Sequence, residues 1–168
     1  LHGWGLAKTG YQTEGLEETQ KSIDSFRQSN SRARLSYYLT LLAELYGDIG
    51  QVTTALKLLS EALDIARQNR DQWYIAETHR IMGDLLVQSG DVDRAVTSLT
   101  QSLEISRHQR AHSFELRTAI SLARVWHDQN RIVQAHDVLE QSMRNVTQTG
   151  SHTDLAEARL LLQRLAEH

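Results

Sequence analysis

Residues 77–106 read ETHRIMGDLLVQSGDVDRAVTSLTQSLEIS, and this stretch decides the fold. Apolar residues recur at helical spacing on both sides of one interruption, Ser89-Gly90-Asp91. Gly90 suits the left-handed conformation that ends a helix, and Asp91 can cap the start of the next helix. The stretch therefore predicts two antiparallel helices joined by a tight turn.

The same unit recurs every forty residues along the chain. Gly10, Gly50 and Gly90 are forty residues apart, and Asn130, the usual substitute for glycine in that conformation, holds the fourth place. Two further kinds of position keep the same period. Small residues recur where two helices must approach closely, and bulky residues recur where the space between pairs must be filled. These columns are Gly3, Ala43, Gly83, Ala123; Gly15, Ala55, Ala95, Ala135; and Leu6, Tyr46, Leu86, Trp126. Each pair must therefore bury apolar surface against its neighbour.

The composition indicates an all-α fold. The chain has 168 residues and no proline, which permits long helices, and no alternating apolar pattern indicates a strand. We predict helices at about 2–9, 13–28, 32–48, 52–69, 72–88, 92–109, 112–129, 132–148 and 153–167, with a capping Ser or Asn in the loop 29–31. The predicted architecture is an alpha-alpha superhelix of about four forty-residue helix-turn-helix repeats. One repeat domain is expected over 1–168, with repeats at about 1–30, 31–70, 71–110 and 111–150 and a capping helix at 152–168.

Charge and hydropathy exclude several classes of protein. The net charge of −3 and the pI near 6.2 give no general attraction to nucleic acid or anionic lipid. No run approaches the roughly twenty apolar residues that span a membrane, and residues 1–4 do not resemble a signal peptide. Because the chain has no cysteine, a reducing, cytoplasmic location is expected. Five arginines could form a basic patch, but acidic residues are interspersed among them, so we expect a mostly solvated surface. They are Arg32, Arg34, Arg117, Arg124 and Arg131.

The repeat columns resemble the tetratricopeptide repeat. The family pattern of small and large residues is present as Met82-Gly83, Leu86, Gly90-Asp91, Ala95, Leu99 and Leu103, and again as Leu42-Ala43, Tyr46, Gly50, Ala55, Leu59 and Ala62-Leu63. The family's usual repeat is shorter and closes with a proline that is missing here. Without that proline each helix can continue by about a turn, which accounts for the longer period.

A second resemblance is to the carboxy-terminal repeat region of large bacterial regulators. It is carried by residues 1–7 (LHGWGLA), 42–46 (LAELY) and 115–126 (ELRTAISLARVW). In such proteins the repeats follow an ATPase module, often with a class III adenylate cyclase domain or a DNA-binding domain of a transcriptional activator. The resemblance implies a regulatory arm. Because the chain opens on Leu1 within a predicted helix, we expect it to be a fragment of a longer protein.

The sequence shows no arrangement of residues that is typical of a catalytic site. No phosphate-binding loop of the Gly-x-x-x-x-Gly-Lys-Ser/Thr kind occurs, and the glycines are spaced for turns. His108 and His112 are four residues apart, but a predicted loop separates them and no carboxylate or cysteine completes a metal site. The pairs His127-Asp128 and His136-Asp137 lack a nucleophile. We expect no catalytic residue, no metal and no cofactor, so this fragment is predicted not to be an enzyme.

A concave groove is the predicted binding site, because the first helix of each stacked pair lines the concave side. The family's groove positions map onto three rows, with His127 following at the mouth. The rows are Tyr37, Glu77, Arg117; Thr40, Arg80, Ile120; and Glu44, Asp84, Arg124. Mixed charge with an aromatic at one end suits an extended or helical peptide. The alternative is that residues such as Asp84 and Arg124 only pair with each other, in contacts worth about 0–1 kcal/mol.

Three functions fit these observations. The leading hypothesis is a module that binds a protein segment, or a neighbouring domain of its parent protein, with no direct contact to nucleic acid or membrane. The second is a sensor in which the groove binds a small-molecule inducer. The third is self-association through an open amino-terminal end that exposes Trp4 and Leu6.

Overall fold

The structure is a computed structural model that describes residues 2–28, 34–146 and 152–167. These residues form helices joined by short turns and contain no strand, so the all-α prediction is confirmed. The helices are α1 (His2–Lys8), α2 (Gln12–Gln28), α3 (Leu35–Asp48), α4 (Val52–Asn69), α5 (Ile75–Gln88), α6 (Val92–His108), α7 (His112–Asp128), α8 (Ile132–Asn145) and α9 (His152–Leu165). We call α1, α3, α5, α7 and α9 first helices and the others second helices.

The turns that follow first helices confirm the forty-residue period. Gly10, Gly50 and Gly90 have φ angles of 106°, 79° and 83°, and Asn130 has φ 59°. At Gly90 the amide donates to Val87 O at 3.0 Å, and the next amide donates to Leu86 O at 2.9 Å. The same pair of bonds recurs at the other three turns, so each helix ends in a Schellman motif.

The beginnings of two helices show where local sequence decided the boundary and where it did not. The Asp91 side chain accepts from the amide of Arg94 at 3.3 Å, which confirms the predicted cap of α6. Helix α5 begins at Ile75, three residues later than predicted, because Trp73 and Tyr74 belong to the turn before it. The predicted cap in the loop 29–31 lies outside the described residues.

The chain divides into two compact units, Leu1–Ile81 and Met82–His168. In the first unit α1 packs on α2, and α3 packs on α1, α2 and α4. A Cβ atom on Gly15 would lie 2.4 Å from the backbone nitrogen of Ala7, so the α1–α2 crossing requires glycine there. The largest fully buried apolar side chains of this unit are Ile23, Leu39, Leu42 and Leu59.

In the second unit α7 packs on α6 and α8, and α9 packs on α7 and α8. A Cβ atom on Gly83 would lie 2.5 Å from Leu99 Cγ, so the small residue predicted at this position gives Leu99 its space. The largest fully buried apolar side chains here are Leu99, Leu116, Leu122 and Leu139. A buried hydrogen bond of 2.7 Å joins the hydroxyls of Ser102 and Thr118 between α6 and α7.

Candidate functional site

The predicted groove residues of the first unit differ in exposure. Thr40 is fully buried; its hydroxyl donates to Ser36 O at 2.9 Å and lies 2.9 Å from the hydroxyl of Thr78. Glu77 is 2% exposed and accepts from Arg80 at 2.8 Å, within the same helix. Thr40 and Glu77 therefore offer no surface to a partner, and Arg80 is largely covered.

Glu44 joins α3 to α1 at the surface of the first unit. It accepts a 2.9 Å hydrogen bond from Trp4 Nε1 and lies 3.2 Å from Lys8 Nζ, which also donates to Asp48 at 2.6 Å. Burial alone lowers the pKa of Lys8, but the bond to Asp48 and the charge of Glu44 outweigh it, so this pKa is raised. Trp4 and Leu6, predicted to be open, are half-buried.

Tyr37 belongs to an aromatic cluster at the ends of α3 and α5. Its ring centroid lies 5.2 Å from that of Trp73 and 4.7 Å from that of Tyr74. Burial, then the neighbouring Tyr38, raises the pKa of Tyr37, and the positive charge of Arg34 opposes this shift. Sequence reasoning missed Trp73 and Tyr74, because it placed them in a helix. Two adjacent aromatics directly after a turn were the available signal.

The predicted residues of the second unit lie mostly on α7, facing α9. Arg124 is 60% exposed and pairs with Glu157 of α9. Arg117 lies with its Nε 3.9 Å from Asp154 of α9, and its guanidinium stands 5.0 Å from the centre of the Phe114 ring. Ile120, in contrast, is 4% exposed and belongs to the core of this unit, so it offers no surface to a partner.

The other two predicted residues of this unit are half-buried. His127 is on α7, with Nδ1 3.4 Å from Asp128 Oδ1, and Asp84 is on α5. The acidic residues of α9 were missed by sequence reasoning. The forty-residue period offered a signal, since Glu157 follows Arg117 by one repeat.

A buried carboxylate network joins three helices of the second unit. Glu115 is 1% exposed, and its Oε1 accepts from Arg107 Nε of α6 at 3.0 Å. Asn145 of α8 donates to both Glu115 oxygens at 3.2 and 3.3 Å, and His112 Nδ1 lies 3.4 Å from Oε2. The network holds α6, α7 and α8 together at one end. Arg107 and Asn145 come from α6 and α8, so the sequence near Glu115 does not indicate these two partners.

The described residues contain no group of three His, Cys, Asp or Glu side chains that could hold a metal ion. Across the same part of the chain, no helix is both long enough and apolar enough to cross a membrane. Two open surface depressions are found on second helices. One is lined by Glu18, Lys21, Ser22, Ser25 and Phe26, and the other by Asp137, Gln141, Arg144 and Asn145. Neither includes a predicted groove residue.

Comparison with known families agrees with this architecture. The model described as tetratricopeptide repeat matches residues 32–108, and the model described as anaphase-promoting complex subunit 5 matches residues 79–168. The fold and the turns thus define a tetratricopeptide-repeat protein. Since the second model covers more than half of the chain, the chain belongs to the sequence family that this model describes. No curated protein matches the chain.

Solved structures show the same fold. BtubC (BKLC) from P. vanneervenii superposes with a TM-score of 0.80 at 17% identity, over 96% of this chain and 68% of that chain. A putative kinesin light chain from P. anserina with nearly identical TPR-like repeats gives a TM-score of 0.75 at 20% identity, over 98% and 82%. A singly substituted form of that protein gives 0.76 at 20% identity, over the same shares. These likenesses confirm the predicted helical-repeat solenoid.

Proposed function

We propose that this chain is a non-enzymatic interaction module that binds a peptide, or a neighbouring domain of its own parent protein, on the exposed faces of its first helices. Tetratricopeptide repeats generally mediate protein–protein interaction, and such proteins are typically scaffolds without catalysis. The observation that carries the proposal is the surface of α7. Arg117 and Arg124 lie two turns apart on one side of it, while Leu116, Leu122 and Val125 are buried.

The ion pairs on that surface are of a kind that a partner can replace. Arg124 and Glu157 are 60% and 39% exposed, and exposed pairs contribute only about 0–1 kcal/mol. A carboxylate of a bound peptide can therefore take the place of Glu157 at little cost, and a basic residue of the same peptide can pair with the released acid. A partner with both signs of charge fits this surface best.

The experiment is a selection from a displayed library of random peptides, followed by affinity measurement of the enriched sequences. Arg124→Glu should weaken those peptides about tenfold or more, because it replaces attraction by repulsion. Arg144→Glu is the matched control: Arg144 is 74% exposed, lies on the second helix α8, and pairs with Glu140. The proposal fails when no peptide is enriched, or when both variants bind as the wild type does.

We further propose that the parent protein is a bacterial signalling ATPase or cyclase in which this module is the regulatory arm. The support is the sequence resemblance of residues 1–7, 42–46 and 115–126 to the repeat regions of such regulators. The coding sequence upstream of residue 1 tests it directly. An ATPase or cyclase domain there is the expected result, and an unrelated domain would contradict the assignment.

A further inference from the structure

The first unit carries a partly exposed group of three aromatic rings at the ends of α3 and α5. We call Tyr37, Trp73 and Tyr74 the aromatic corner. Trp73 is 47% exposed, while the two tyrosines are half-buried. Each ring centroid lies between 4.7 and 5.2 Å from the other two. Trp73 is thus a large apolar side chain held at the surface by its two aromatic neighbours.

The three rings are strongly tilted against each other, which limits what they can bind. Tyr37 and Trp73 are inclined by 40°, Trp73 and Tyr74 by 51°, and Tyr37 and Tyr74 by 87°. A nucleobase needs a flat ring face on which to stack. The three rings are in contact, so a ligand packs on their outer faces, and the compact ring of proline fits such a surface, which aromatic-lined sites recognise in polyproline II segments.

Charge at the edges of the corner selects among such segments. Arg34 and Arg70 are both exposed, and each precedes a ring of the corner by three residues: Tyr37 and Trp73 respectively. Two acids lie near the corner: Asp71 is half-buried and accepts from the Ser36 hydroxyl at 3.4 Å, and Glu44, whose charge acts on Tyr37, is half-buried and lies 3.2 Å from Lys8 Nζ. The exposed charge at the rim is therefore positive, and it favours acidic residues beside the prolines.

We propose that the aromatic corner is a docking site for an extended, proline-rich segment with flanking acidic residues. The proline rings pack against Trp73 and Tyr37, and the acidic residues pair with Arg34 and Arg70. None of the 168 residues is a proline, so the segment comes from outside this sequence. A polyproline II segment is already extended and loses little conformational freedom on binding, which suits a small site. This inference rests on the proposed function, because Tyr37 belongs to a first-helix face.

The test uses a synthetic peptide with two Pro-Pro steps flanked by Asp, added to the ¹⁵N-labelled chain. The chain has three tryptophans: Trp4 donates to Glu44, Trp126 has a buried indole nitrogen, and Trp73 is exposed. The peptide should therefore shift the indole resonance that Trp73→Phe removes from the spectrum, and leave the other two in place. The shift itself is measured on the wild-type chain, and Trp73→Phe serves only to assign the resonance.

Affinity measured by fluorescence anisotropy supplies the second readout. Trp73→Ala should weaken the peptide about tenfold or more, as truncation of a central aromatic anchor does. Tyr11→Ala is the matched control, since Tyr11 is 60% exposed and lies outside the corner. A peptide with alanine in place of proline should lose binding, and one with lysine in place of aspartate should bind more weakly.

Several outcomes would overturn the inference. Equal binding of the alanine peptide would remove the requirement for proline. An unchanged affinity of Trp73→Ala, absence of binding, or preference for a single-stranded oligonucleotide would remove the docking site. The proposed function fails separately: library peptides that depend on Arg124 would leave it standing even where the proline peptide does not bind, and that failure alone would exclude the aromatic corner.

Discussion

Among the described residues, the turns that follow the first helices α1, α3, α5 and α7 and those that follow the second helices α4 and α6 share one backbone geometry but not one residue type. Gly90 follows α5 with φ 83°, and Arg110 follows α6 with φ 55°. At Arg110 the amide donates to Arg107 O at 3.0 Å and the next amide donates to Ser106 O at 2.9 Å, the same bonds as at Gly90. Arg70 repeats the pattern after α4 with φ 54°. The left-handed turn therefore forms even where the residue type does not favour it.

The turns at Arg70 and Arg110 need stabilisation from other parts of the fold, and the glycine turns do not, since a left-handed residue with a side chain costs about 1–2 kcal/mol of stability. Side-chain contacts near each of these two turns supply this stabilisation. Around Arg110 the buried Glu115 of α7 accepts from Arg107 of α6 at 3.0 Å. Around Arg70 the Ser36 hydroxyl donates to Asp71 at 3.4 Å. We infer that glycine stabilises the first turns locally and that tertiary contacts stabilise the second.

The largest expected effect comes from removing the carboxylate beside Arg110. Glu115→Ala should lower the free energy of unfolding by about 3 kcal/mol, the lower end for breaking a buried pair, because Arg107 is 37% exposed and keeps water contact. Denaturant unfolding measures this change. Glu104→Ala on the exposed side of α6 is the control and should stay within about 0.5 kcal/mol. A loss below about 1 kcal/mol for Glu115→Ala would show that something else holds the turn.

This contrast also explains how much of the molecule could be predicted. Glycine at forty-residue intervals is a local preference for positive φ, so the turns at Gly50 and Gly90 and the cap at Asp91 were readable from sequence. Arg70 and Arg110 carry no such preference, so the breaks between helices at these places were predicted but their left-handed conformation was not. The same distinction holds for the candidate site: groove rows follow from the period, whereas the pairing of Arg124 with Glu157 depends on how α9 packs.

The second-largest change in stability is expected at the turn residue Gly90. Gly90→Ala should cost about 1–1.5 kcal/mol, because strain of up to about 2 kcal/mol at φ 83° outweighs the roughly 0.5–1 kcal/mol gained from a less flexible unfolded chain, although no atom beyond the chain neighbours lies within 4 Å of the added Cβ. Gly90→Asn should cost less, since Asn130 adopts φ 59° at the equivalent place. Gly5→Ala is the control: Gly5 is helical with open space around its Cβ position, so alanine there should stabilise. Thermal unfolding measures the relative stabilities of the three variants. Equal losses of stability in all three would contradict the local role of glycine.

A smaller change in stability is expected from two serines at equivalent places, one at the α6–α7 contact and one at the α8–α9 contact. Ser102 is bonded to Thr118, but among the described residues the buried hydroxyl of Ser142 has no partner, and Ala158 holds the place that follows Thr118 by one repeat. Ser102→Ala should therefore destabilise by about 1 kcal/mol, whereas Ser142→Ala should be neutral or stabilising by up to about 1 kcal/mol. Denaturant midpoints of the two variants give the signs. The same sign at both positions would mean that the hydroxyl of Ser142 is satisfied in solution.

The smallest effect tests the second kind of turn most directly. Arg110→Gly relieves the left-handed strain of about 1–2 kcal/mol and adds chain entropy worth about 0.5–1 kcal/mol to the unfolded state, so a net gain of about 0.5–1 kcal/mol is expected. Because the Arg110 side chain is exposed, little packing is lost. Asn130→Gly should gain less, since asparagine tolerates this conformation. A loss of stability in Arg110→Gly would show that the arginine side chain itself holds the turn, and the two kinds of turn would then differ in their local chemistry as well as in their surroundings.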